Sequence, residues 1–240
     1  MIAVGLMLPA SLTKVVLAKF AVKLYLTMPL HKIHWYGPGS GWGVWKIEEE
    51  ETALASKLPV SDQCPDQIRF PRKRLEWLGG RYLLDRLFMD SGLIYKGISK
   101  DEQGKPFPLE SACHISLTNA FPFVAAQIHP KIPVGIDLEI PRPKMTHVIP
   151  RVLSHAEQED AGNDPLKLCV YWSAKESLFK VFGIRNIHFA EQLLINPFIY
   201  STSGSLTGHI RLPDQTWNVE LDYISTNEFV LTSTKSLTKE

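Results

Sequence analysis

At 240 residues the chain is long enough to bury a substantial core, as one large domain or two small ones. Its 45% hydrophobic and 21% charged content is ordinary for a soluble globular protein, and a net charge of +1 argues against a nucleic-acid binder that works by neutralising phosphates. Cys64, Cys113 and Cys169 are scattered, without a C-x-x-C, which speaks against a disulfide scaffold or zinc site and for a reducing cytosol.

Residues 1–27 carry no acidic residue, and Lys14, Lys19 and Lys23 interrupt otherwise apolar sequence. No apolar run approaches the ~20 residues a bilayer needs, and the lysines sit too late for a signal peptide. The segment reads as a dispensable extension, non-native or disordered, with a natural start at Met28; a membrane partner is not expected. Strand-like alternation follows in Trp42–Ile47, and Glu48 to Leu58 reads as an acid-rich first helix whose early glutamates suit the helix dipole. After a polar connection over Ser61–Pro71, Arg72 to Phe88 forms a long amphipathic helix with Leu75, Leu78, Tyr82 and Leu83 as its apolar stripe. Arg74 and Arg81, seven apart, lie on nearly one face of it. Gly104-Lys105-Pro106 fixes a tight loop from which an ammonium can reach an anion. His114 to Ala126 reads as strand, Val148 to Glu159 as a helix, and Leu166 to Phe182 as a second long helix. Strands over Leu193–Tyr200, Ser205–Leu212, Trp217–Ile224 and Phe229–Ser233 close the chain, with a hairpin turn at Ser225-Thr-Asn227.

Two stretches carry the chemistry. In Val134-Gly-Ile-Asp137-Leu-Glu139-Ile140 the period of two sends both carboxylates to one side of a strand and the aliphatic residues into packing. In Trp172-Ser-Ala-Lys175-Glu176-Ser-Leu-Phe-Lys180 the helical period puts Trp172, Glu176 and Lys180 on one face, with Lys175 beside Glu176. Brought together, Asp137, Glu139 and Glu176 offer three hard oxygen ligands, and three carboxylates in a dry pocket repel unless a divalent cation sits among them.

A G-[IV]-D-x-E strand followed by W-[STC]-x-K-E-[SA]-x-x-K resembles the 4′-phosphopantetheinyl transferase superfamily, in particular its larger, two-repeat (Sfp-like) class, over roughly residues 28 to 240. The resemblance implies an α+β fold of two similar halves in pseudo-twofold arrangement, 28–122 and 123–240, with the active site in the groove between them. It implies an enzyme, a cytoplasmic holo-carrier-protein synthase. The reaction moves the 4′-phosphopantetheine of coenzyme A onto a serine of an apo acyl or peptidyl carrier protein, releasing 3′,5′-ADP. Magnesium is the implied cofactor, on Asp137, Glu139 and Glu176. Glu176 accepts the serine proton, and Lys180 sits on the pyrophosphate and donates to the leaving oxygen. Arg74, Arg81, Lys105, Thr118, Asn119 and Lys175 join Lys180 in holding coenzyme A. Asn119 and Ala120 stand where the family usually has histidine and a second serine, and thirty-five positions from Asp137 to Trp172 make a shorter connector than usual. The alternative is therefore an impaired protein of the same fold that binds coenzyme A or a carrier. A third reading is a metal-dependent phosphate hydrolase. A chain with both halves of its groove has no need to dimerise, so a monomer is expected.

Overall fold

Alternation along strand β2 (Ser40–Lys46) divides its side chains between two neighbours. Trp45 turns to a helix, where its ring meets Tyr82 edge-on at 5.2 Å between centroids, whereas Trp42 and Val44 turn the other way into a core shared by two sheets. The structure, a computed structural model, describes residues 30–59, 62–143, 145 and 149–240. The expectations for residues 1–27 and for a start at Met28 lie outside the described residues, as does Val148.

The first sheet is antiparallel, in the order β1 (Leu30–Gly37), β2, β6 (Phe123–His129), β5 (His114–Ala120). Helix α2 (Pro71–Asp90) covers its outer face, with α1 (Glu51–Ala55) packed on α2. Pro71 begins α2 at the position where the missing N–H costs nothing. The expected helix over Glu48–Leu58 contracts to one turn: the side chain of Glu49 is taken by the Trp45 indole and the Glu48 amide, at 3.2 and 3.0 Å. Strand β1 was not anticipated, since its edge position leaves polar and aromatic residues exposed on a strand without clean alternation.

The second sheet runs β7 (Ile136–Glu139), β11 (Val230–Lys239), β10 (Gln215–Ser225), β9 (Ser203–Leu212), β8 (Leu193–Ile195). Its outer face carries α4 (Pro165–Phe182), preceded by α3 (His155–Ala161) and followed by the short α5 (Phe189–Gln192). Asp164 caps α4 by accepting from the amides of Leu166 and Lys167, and Gly183 ends it in the left-handed region at φ +64°. Between the sheets Trp42, Val44, Phe123 and Ala125 meet Ile136, Leu138, Phe229 and Leu231. The layers are thus helix, sheet, sheet, helix, a mixed α+β architecture.

The expected division between Pro122 and Phe123 falls inside the β5–β6 hairpin. Strand β6 belongs to the first sheet, pairing with both β2 and β5, and the chain passes to the second sheet only at β7. A small hairpin, β3 (Ile98–Lys100) and β4 (Pro106–Pro108), frames the Gly104-Lys105-Pro106 turn. Among the described residues no helix is long and apolar enough to cross a membrane.

Candidate active site

The site depends on how closely α4 approaches β7. Gly135 lies just before that strand, and a Cβ there would overlap the Ser177 carbonyl oxygen and lie 3.2 Å from the Val181 nitrogen. Small hydroxyl residues keep the approach close on the next strand: Ser173 Oγ is 3.1 Å and Ser177 Oγ 2.7 Å from Thr232 Oγ1. Thr232 is the residue that pairs with Asp137 across the β7–β11 ladder. The helix therefore lies against the strand with backbone nearly on backbone, and its polar face meets the strand's carboxylates.

That face is Trp172, Glu176 and Lys180. The Trp172 indole donates to Glu139 Oε1 at 2.9 Å, and the Lys180 ammonium donates to Asp137 Oδ1 at 2.7 Å and to the Ile136 carbonyl at 3.1 Å. Thr118, on β5, donates to the same Asp137 oxygen at 3.1 Å. Glu176 lies between. Burial, then the Asp137 charge, push its carboxyl up to about 7, while Lys180 pulls it back. Glu139 is also raised, by burial and then by Asp137, with the Trp172 hydrogen bond opposing. The structure thus brings Asp137, Glu139, Glu176 and Lys180 into one neighbourhood.

Among the described residues no three His, Cys, Asp or Glu side chains converge closely enough to hold a metal ion as they stand. The donor chemistry suits one all the same. Asp137 Oδ2 is buried without a hydrogen-bond partner, and the two neighbouring carboxyls of Glu139 and Glu176 are raised by burial and then by the Asp137 charge. An unpartnered buried carboxylate oxygen and hard oxygen donors beside it fit the chemistry of a divalent cation.

Beside this acid cluster lies a cleft of about 1120 Å³ between α2, β5, the β3–β4 hairpin and the end of α4. It is larger than the ~300–1,000 Å³ common for small-molecule sites. Seven basic residues line it (Arg69, Lys73, Arg81, Lys100, Lys105, Lys180 and Arg185) against two acidic ones, Asp62 and Glu76. That excess of five positive charges contrasts with +1 for the whole chain, so the cleft is far more basic than the molecule as a whole. Lys180 and Thr118 are common to the cleft and the acid cluster.

The remaining expected residues take varied places. Asn119 is exposed on the cleft wall. Arg81 lines the cleft with its guanidinium over the Trp77 ring at 3.3 Å, paired with Asp62 at 3.0 Å, and Tyr95 donates to the other oxygen of Asp62. Arg74 does not line the cleft: Glu51 takes it at 2.7 Å and the Pro65 and Ile68 carbonyls hold its other nitrogen, so it ties α1 and the preceding loop to α2. Lys175, expected at phosphate or beside Glu176, is wholly buried elsewhere. It pairs with Glu157 at 2.7 Å and donates to the Phe189 carbonyl at 2.7 Å, on a face of α4 a hundred degrees from Glu176. Lys105 lines the cleft, but its ammonium donates to the carbonyls of Lys180 and Val181, and burial pushes it down to about 8. Four cations of the cleft escaped the sequence reading, Arg69, Lys73, Lys100 and Arg185; of these, Arg69 and Lys100 have no side-chain partner among the described residues. For these two the one available signal was that they sit just before Pro71 and just before the tight turn.

A family model described as the 4′-phosphopantetheinyl transferase superfamily matches residues 133–232. A search among curated proteins found no match to the sequence. The matched stretch runs from the approach to β7 into the start of β11, and so contains Asp137, Glu139, Glu176, Lys180 and the whole of α4. Over those residues the chain is similar to the 4′-phosphopantetheinyl transferase superfamily.

Proposed function

We propose that this protein transfers the 4′-phosphopantetheine group of coenzyme A to a serine of an apo acyl or peptidyl carrier protein and releases 3′,5′-ADP, as a member of the larger, two-repeat class. The observation that carries the reading is the junction itself: a strongly basic cleft sharing Lys180 with a cluster of three coupled carboxylates. The two helix-on-sheet layers are, on this reading, the pseudo-twofold halves.

Coenzyme A, with its pyrophosphate and 3′-phosphate, is the polyanion proposed for the cleft, where Arg69, Lys100 and Arg81 face it. Asp137, Glu139 and Glu176 would hold the magnesium ion, which supplies charge neutralisation at the pyrophosphate when bound. Glu176, whose carboxyl is raised by burial and by Asp137 in the metal-free site, is the group proposed to accept the serine proton as the hydroxyl attacks phosphorus. Lys180 holds a proton beside the leaving 3′,5′-ADP oxygen while Thr118 and its own contact to Asp137 fix its direction. Trp172 holds Glu139 in place.

The test is mass spectrometry of several apo carrier proteins incubated with this protein, coenzyme A and magnesium. Addition of one phosphopantetheine to wild-type reactions, and none with Glu176→Gln, is expected. Binding of coenzyme A without any mass gain would favour the second reading, a binding protein, which the loss of histidine and serine donors at Asn119 and Ala120 supports. Phosphate release from coenzyme A without a carrier would favour a hydrolase.

A further inference from the structure

An ammonium has three N–H donors, and at the end of α4 one of them meets three backbone carbonyls. Lys105, in the turn between β3 and β4, donates to the carbonyl oxygens of Lys180 and Val181 and, at 3.5 Å, to that of Val134. The first two belong to the last turn of α4, where carbonyls lack intrahelical partners and the helix dipole is negative. The third lies in the approach to β7. The surroundings fit the lysine stem: a Cβ on Gly183 would lie 3.2 Å from Lys105 Cβ. The turn that presents it is fixed by Asp101 Oδ1, which accepts from the amides of Gln103 and Lys105 at 3.0 and 2.8 Å. Arg185 adds a second link, donating to the Glu102 carbonyl at 3.0 Å.

We infer that Lys105 is a positioning residue and not an anion ligand: it staples the end of α4, the helix that presents Glu176 and Lys180, to the approach of β7, the strand that presents Asp137 and Glu139. With all three donors directed at carbonyls, none is left for a phosphate in the same rotamer. The hairpin that forms one wall of the cleft is thereby joined to the acid cluster. What the site does rests on the transferase reading; where Lys105 is held does not.

Lys105→Met and the milder Lys105→Gln separate the alternatives through three measurements: Mn²⁺ titration, calorimetry with 3′,5′-ADP, and amide hydrogen exchange. For a staple, Mn²⁺ affinity falls about tenfold or more, as for residues that orient metal ligands. The 3′,5′-ADP dissociation constant stays within about threefold, and the amides of Lys180 to Gly183 exchange faster. For an anion ligand, nucleotide affinity falls about ten- to a hundredfold while Mn²⁺ binding and exchange stay put, and that result overturns the inference. If the wild type binds neither probe, the transferase reading fails, yet unchanged or faster exchange in the variants still decides the staple. Should both variants fail to fold, the wild type answers by nitrogen NMR: slowly exchanging Lys105 ammonium protons are expected, and freely exchanging ones overturn the assignment.

Discussion

Helices α2 and α4 each lie on the outer face of an antiparallel sheet, yet they treat charge in opposite ways. On α2, Arg74, Glu76, Arg81 and Arg86 all have ionic partners within 4 Å, from Glu51, Lys73, Asp62 and Asp90. Beneath them Leu78, Leu83, Leu84, Leu87 and Phe88 are buried, and packing supplies the stability. On α4 the half-buried Glu176, on the face toward β7, feels the charges of Asp137, Glu139 and Lys180, and Asp137 keeps a buried oxygen with no hydrogen-bond partner. The first pattern settles its charges within the fold, whereas the second sets three carboxylates against one lysine.

Backbone proximity is the sharpest form of that difference, because α4 is seated through Gly135. Gly135→Ala is expected to cost about 3 kcal/mol in urea unfolding, since the new methyl meets backbone that cannot move aside as a side chain can. A loss below about 1 kcal/mol would mean that α4 retreats easily from β7 and that the acid cluster is loosely defined.

Charge gives the next largest effect. Glu176 has its folded-state carboxyl raised to about 7 against an ordinary 4.5. A raised acid binds more protons folded than unfolded, so its contribution is fully present below about 4.5 and is lost as pH rises through 7. Without divalent ions, Glu176→Gln should therefore be more stable than wild type at pH 8 by on the order of 2 kcal/mol, and equal to it near pH 4.5. Thermal melts of the two proteins across that range, with and without magnesium, check this. A constant difference across pH would show that Glu176 does not feel Asp137 and Glu139.

How much of this was legible beforehand follows from distance along the chain. The alternation Ile136-Asp137-Leu138-Glu139 and the four-residue spacing of Trp172, Glu176 and Lys180 are local periods, and the structure keeps both: Ile136 and Leu138 sit between the sheets while Asp137 faces α4. Lys175 was misplaced because its destination, Glu157, is set by the packing of α3 against α4, which no local period encodes. Arg74 was misplaced for a related reason. Its spacing from Arg81 fixes the face of α2, but Glu51 on α1 captures it before the cleft. Lys105 reads as a tight-turn lysine in sequence, and only tertiary structure shows that the end of a helix 75 residues later lies under it.

The smallest effect tests the scaffold side of the comparison. Gly80 lies inside α2, and a Cβ there would find Leu117 Cδ2 at 3.4 Å, an ordinary contact. Alanine has higher helix propensity and loses less backbone entropy on folding, so Gly80→Ala should stabilise by roughly 0.5–1 kcal/mol. Gly80 also lines the cleft, and a single methyl added to that wall leaves its charged groups in place. Denaturant midpoints read the first effect and 3′,5′-ADP affinity the second. A destabilised variant would show that α2 and β5 are packed as tightly as α4 and β7, and the distinction between a tolerant scaffold helix and a tightly seated active helix would fall.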